Sequence, residues 1–142
     1  MATAKDVLTQ KPRALYAIEP DEPVLEAIQM MAEHSIGALL VMKASELVGI
    51  VSERDYARKV ILLGRSSSDT PVWQIMSSPV LTVTPETTVS HCMQMMTDHR
   101  VRHLPVTEGG RVLGVLSIGD LVRAVLEEQR RTIDDLEHYI RG

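Results

Sequence analysis

Two segments carry the same polar pair at the same spacing: Gly-Ile-Val-Ser-Glu-Arg-Asp at 49–55 and Gly-Val-Leu-Ser-Ile-Gly-Asp at 114–120. Each follows an apolar run and precedes a helical one, so Ser52 and Ser117 fall at strand-to-helix junctions. The first N–H groups of a helix lack intrahelical partners, and with the helix dipole they favour an anion. A serine hydroxyl at the same place adds a donor and acceptor. An ionised aspartate only accepts, so Asp55 and Asp120 suit a diol such as a ribose. Gly49 and Gly114 let another group come close to the backbone. This is chemistry for holding a polar ligand. It is not chemistry for breaking bonds, because no His or Lys stands at a spacing that would activate Ser52 or Ser117. His34, His91, His99, His103 and His138 form no metal-ligand pattern.

A second reading needs no ligand. Ser-x-x-Asp ahead of an apolar run is also a capping box, in which the two side chains satisfy the helix's own first amides. The spacing alone leaves both readings open.

The elements that position the pair are themselves repeated. Shifted by 65 residues, segment 20–60 aligns on 85–125 without a gap. Pro20, Val24, Gln29, Met30, Met31, His34, Leu39, Val41, Gly49, Ser52, Asp55, Arg58 and Val60 meet identical residues. Two copies are too few for a solenoid and imply two halves packed face to face about a pseudo-twofold axis. Each copy reads strand, helix, strand, strand, helix. Extended pieces are expected at 14–18 and 80–83. Helices follow at Val24–His34 and Val89–His99, with Asp21, Glu22, Thr87 and Thr88 at their starts. Strand pairs are expected at 38–42 with 47–51 and at 103–107 with 112–116, the second joined through Gly109-Gly110. Residues 64–72, small and polar, read as a linker, and 73–76 as a short helical turn. The expected domain boundaries are 1–64, 65–127 and a helical extension at 128–142.

Composition narrows the function classes. The chain has 142 residues, 44% hydrophobic and 3% aromatic with no Phe, and a formal net charge of −4. It lacks both the basic surplus of a general nucleic-acid binder and the aromatic platforms that stack single-stranded bases. One cysteine, Cys92, excludes an intramolecular disulfide; aligned with Ala27, it reads as a small core residue. No apolar run has the length of a membrane span, and the N-terminal MATAKDVLTQKP has no apolar stretch of a signal peptide. No membrane association and a cytoplasmic location are expected. The Met cluster (Met30, Met31, Met93, Met95, Met96) reads as core and helix-packing surface. Leu126, Ile133, Leu136 and Ile140 on the last helix trace a heptad-like seam, with packing on the chain's own body as the competing reading.

The repeated Gly-h-h-Ser-x-x-Asp, the RHLPV at 102–106 and the TVTP at 82–85 resemble the cystathionine-β-synthase-type (CBS) domain family as a tandem pair, over roughly residues 7–126. The resemblance implies an α/β fold of two β-α-β-β-α repeats. It implies adenosine-containing ligands (AMP, ADP, ATP, NAD(H) or S-adenosylmethionine) in the clefts between the repeats, with AMP and NAD(H) expected for the bacterial subgroup that 52–76 is similar to. It implies Asp55 and Asp120 on ribose hydroxyls, Ser52 and Ser117 near phosphate, and Arg102 and His103 as phosphate contacts. Arg54 belongs to the same candidate set, with Ile18, Gly37, Ala38, Val51, Lys59, Arg65, Thr82, Val83 and Leu116 as further lining residues. The copies are not equivalent: Gly37-Ala38 stand where the second has Arg102-His103, and Arg54 aligns with Gly119. The expectation is a non-enzymatic sensor that binds an adenine nucleotide, forms a homodimer and reports to a protein partner. A purely structural dimerisation module is the alternative.

Overall fold

In a computed structural model, which describes residues 1–11 and 14–141, the chain forms two compact units. One is Leu15–Val80; the other joins Met1–Ala14 to Leu81–Gly142. These packing units differ from the sequence segments 1–64 and 65–127 because the stretch ahead of each repeat packs on the other repeat.

The first unit holds β1 (Ala17–Ile18), α2 (Val24–His34), β2 (Ala38–Lys43), β3 (Glu46–Ser52) and α3 (Glu53–Tyr56). The second holds α1 (Ala4–Thr9), α4 (Val89–His99), β4 (His103–Glu108), β5 (Arg111–Ser117) and α5 (Ile118–Arg141). Helices α2 and α4 take the bounds their apolar spacing predicts. One face of each is buried: Val24, Ala27 and Met31, and Val89, Cys92 and Met96. Both end at a left-handed residue, Ser35 and Arg100, at aligned positions. The hairpins β2–β3 and β4–β5 are antiparallel and share a register irregularity, after Val41 and after Val106. Gly109 and Gly110 both have positive φ, as a two-residue turn between twisted strands favours.

Segment 64–72 is more than a linker. The Thr70 and Ser67 carbonyls accept from the Val24 and Leu25 amides and so close the start of α2. Asp21 and Glu22 contribute no side-chain cap there; Pro23 is the N-cap residue. At α4 the Thr88 side chain does cap, accepting from the His91 amide, and the Val89 amide donates to Ala2. The lead-ins match in detail. Val72 and Trp73 donate to the Glu22 and Pro20 carbonyls as Ala4 and Lys5 donate to Thr87 and Pro85. The expected turn at 73–76 is a short 3-10 helix, Val72–Gln74.

Two further differences separate the copies. The strand expected at 80–83 shrinks to a bridge between Val83 and Val106. In the first unit Leu40 N–H donates to Tyr16, whereas the aligned residue of the second is Pro105, which has no N–H to give. The second difference is the last helix. Helix α3 has four residues and runs into a π-helical turn, Ala57–Ile61, while α5 has 24. Among the described residues no helix is long and apolar enough to cross a membrane.

Candidate functional site

Both Ser-x-x-Asp pairs form capping boxes. Ser52 N–H and Oγ–H donate to Asp55 Oδ2 at 2.9 Å each, and Asp55 N–H donates to Ser52 Oγ at 3.2 Å. Ser117 N–H donates to Asp120 Oδ2 at 2.8 Å, and Asp120 N–H to Ser117 Oγ at 3.2 Å. Capping therefore occupies Oδ2 of each aspartate. Among the described residues the Oδ1 atoms meet only long ionic contacts, Lys59 Nζ at 3.4 Å from Asp55 and Arg123 at 3.6 Å from Asp120.

The glycines of the motif serve packing. A Cβ at Gly49 would overlap the Met76 thioether and approach the Ser77 carbonyl at 3.2 Å; one at Gly114 would lie 2.6 Å from Leu8 Cδ2. The group that comes close to these backbones is thus the lead-in side chain.

In the second unit, sheet register sets His103 opposite Ser117, and Ile118 N–H donates to the Arg102 carbonyl. Arg102, His103, Ser117 and Asp120 thus meet at the start of α5. Arg102 is exposed, and His103 is half-buried. Lys11 joins them from 109 residues away. Its ammonium donates to Asp120 Oδ2 at 2.7 Å and to the Val115 carbonyl at 2.8 Å. In the first unit the corresponding Ile50 carbonyl is met by the Ser77 backbone amide, so a side chain has taken a backbone donor's place. Burial opposes the charge on Asp120, but Lys11 and the Ser117 amide outweigh it and hold the carboxyl below its ordinary value. Burial, then the nearby charge of Lys11 and of Arg102, pushes His103 down against the pull of Asp120. Asp120, Lys11 and Arg123 also line a cleft of about 550 Å³ between α1 and α5.

Among the described residues, the corresponding place in the first unit has Gly37-Ala38 in place of Arg102-His103 and no lysine from a lead-in. Ala38 pairs with Ser52, and Glu53 N–H donates to the Gly37 carbonyl. Arg54 is half-buried. Lys59 reaches Asp55 but is also tied to the Ile75 carbonyl at 2.9 Å, and Arg65 is exposed. Of the other lining candidates, Ile18 and Val51 are buried in one core cluster and Val83 and Leu116 in the other. Their side chains are spent on packing, which leaves the backbone as their means of touching a ligand. Thr82 is half-buried.

The family model of the CBS domain matches residues 4–62 and again 72–127. The chain belongs to the CBS domain family. Among curated CBS relatives, the mitochondrial CBS domain-containing protein CBSX3 of Arabidopsis thaliana is 48% identical over 127 residues, covering 86% of this chain and 62% of the plant protein. Among solved structures, a CBS-domain protein from Burkholderia ambifaria is 47% identical with a TM-score of 0.87, covering 90% of this chain and 96% of its own. The CBS domain pair of protein MJ0100, solved with 5′-methylthioadenosine and S-adenosyl-L-methionine, shares the fold at 22% identity and a TM-score of 0.79, covering 89% of this chain and 98% of its own.

Within this CBS pair, Lys11 and Arg123 are the residues against Asp120 that the sequence did not mark as candidates. The repeat comparison begins at residue 20, and nothing in the local pattern ties a lysine of the lead-in to an aspartate of the second copy.

Proposed function

We propose that this CBS domain pair is a non-enzymatic sensor that reversibly binds an adenine nucleotide, AMP, ADP, ATP or NAD(H), and reports it to a partner protein. One observation carries the reading: the junction at the start of α5 gathers Ser117, Asp120, Lys11, Arg102 and His103. An acceptor carboxylate beside the Lys11 ammonium, with Arg102 and a neutral His103 on the adjoining strand end, matches at a long helix's start the needs of a ribose and a phosphate. The adenosine compounds held by the MJ0100 pair support the ligand class. Among the described residues the first unit has no counterpart of Lys11 or Arg102 and its helix is short, so the second unit's junction is the tighter phosphate site. No catalytic residue is assigned.

Self-association belongs to the same proposal: α5 leaves Leu126, Ile133, Leu136 and Ile140 more than half exposed. The structural-module alternative draws on the completed capping boxes, which give both aspartates work without a ligand.

Thermal unfolding with AMP, ATP and NADH tests the reading. A nucleotide at about 100 times its Kd stabilises the folded state by about 2.7 kcal/mol. An unchanged Tm with all three at millimolar concentration refutes the sensor and leaves the structural module.

A further inference from the structure

From residue 128 to its last described turn, α5 is exposed on every side. This segment continues the turns of α5 that dock on the body through Leu121, and no described residue covers it. The helix carries a regular seam: Val122, Leu126, Gln129, Ile133, Leu136 and Ile140 recur at alternating steps of four and three, the a and d positions of a heptad. The five apolar members are between 42% and 81% exposed, so no described residue of the chain covers the seam.

The flanking charges choose the occupant. In an antiparallel pair of such helices, a positions face d positions and e positions face e positions. A second copy laid antiparallel sets Leu126 against the partner's Leu136 and Val122 against the partner's Ile140. At the e positions, Arg123 then faces the partner's Glu137, and the dyad repeats the pair. On the other flank Tyr139, 85% exposed, meets the partner's Val125. Arg130 faces its own copy at the dyad, but Glu127 and Asp134 flank it on its own helix at three and four residues. A parallel pair forms no opposite-charge contact: Arg130 would face Val125, and Glu137 would face Thr132.

We propose that the α5 seam binds a second copy of this chain as an antiparallel helix pair, with Arg123 on Glu137 at both ends. The inference rests on the self-association proposed above. Sedimentation equilibrium on the full chain tests it. The wild type should weigh twice 15.8 kDa, and Ile133→Asp should give one chain's mass with an unchanged thermal melt of the body. Arg123→Glu and Glu137→Arg should each raise the dimer Kd about tenfold, since each reverses two contacts. The double variant should return it to within about threefold of wild type. The two positions lie about 21 Å apart on one helix, so such a rescue is between chains. A monomeric wild type overturns self-association and the seam together. A dimer indifferent to Ile133→Asp, or a double variant no tighter than the worse single, overturns the antiparallel seam and leaves self-association standing.

Discussion

Replacing Lys11 by methionine and Asp120 by asparagine, singly and together, isolates the contact that ties the lead-in to the second repeat. The ammonium–carboxylate distance is 2.7 Å, with the Asp120 side chain 10% exposed and that of Lys11 32% exposed. A fully exposed ion pair is worth about 0.2–1 kcal/mol, and a hydrogen bond to a charged group about 1.5–3 kcal/mol. This partly buried pair falls between them, at about 1–2 kcal/mol of coupling. Methionine also leaves the Val115 carbonyl without its donor, so Lys11→Met alone should lower the Tm by roughly 3–6 °C. Asp55 and Lys59 form the internal comparison: they are 3.4 Å apart, four residues apart on one helical stretch, and Lys59 is 42% exposed, for about 0.3–0.5 kcal/mol. The cycle is read by urea unfolding at neutral pH. The Asp120 carboxyl titrates below its ordinary value, so the coupling is present at neutral pH. It is lost only as pH falls from about 3.9 through that lower folded value. A coupling no larger than that of Asp55 with Lys59, or one already gone at pH 5, refutes the role given to Lys11.

Other expectations follow from the same packing. Gly49→Ala and Gly114→Ala should each destabilise by roughly 1–3 kcal/mol. Gly49→Ala should be the worse, since the Ser77 carbonyl cannot rotate aside as the Leu8 side chain can; an unchanged Tm in both contradicts the close approach. His103 is held below its ordinary value, so the unfolded chain binds its proton first as pH falls. Stability should therefore decline below about pH 6.5, and His103→Gln should flatten that part of the profile; identical profiles refute the half-buried neutral histidine.

The repeat made most of the fold legible. A 65-residue shift doubles every local signal, and helices α2 and α4 and both hairpins follow from apolar spacing alone. What the sequence hid were consequences of single residues and of long-range packing. Pro105 looks conservative beside Leu40 in an apolar run, yet its missing N–H removes a strand pairing. The lead-ins are offset from the repeat by three residues, 70–76 against 2–8, so the alignment that reveals the copies does not reveal them. Their exchange explains the motif glycines better than a ligand does. The candidate site was legible as far as Ser52, Asp55, Ser117 and Asp120, whose spacing is local. Lys11 was not, since its role depends on where the lead-in crosses β5.

Capping uses Oδ2 of each carboxylate, whereas a ribose hydroxyl would draw on Oδ1, and this makes the two readings of Ser-x-x-Asp separable. At Asp55 the cap uses Oδ2, and among the described residues Oδ1 keeps only the 3.4 Å contact with Lys59. Asp55→Asn retains one amide oxygen for the Ser52 N–H and loses the charge. Asn and Asp cap comparably, so ligand-free stability should change by less than about 0.5 kcal/mol. At Asp120 the cap oxygen is also the one that Lys11 grips. Asp120→Asn should therefore cost about 1–2 kcal/mol of ligand-free stability before any nucleotide is added, because it leaves the lysine without its counter-ion. Calorimetric titration with the nucleotide that raises the Tm then divides the readings. If the aspartates accept ribose hydroxyls, Asp120→Asn should weaken the tighter site by about tenfold or more, and Asp55→Asn should weaken the other while leaving that one alone. Nucleotide affinities unchanged in both variants, beside an Asp120→Asn that is less stable than Asp55→Asn, would make both aspartates caps and Lys11 a purely structural tie.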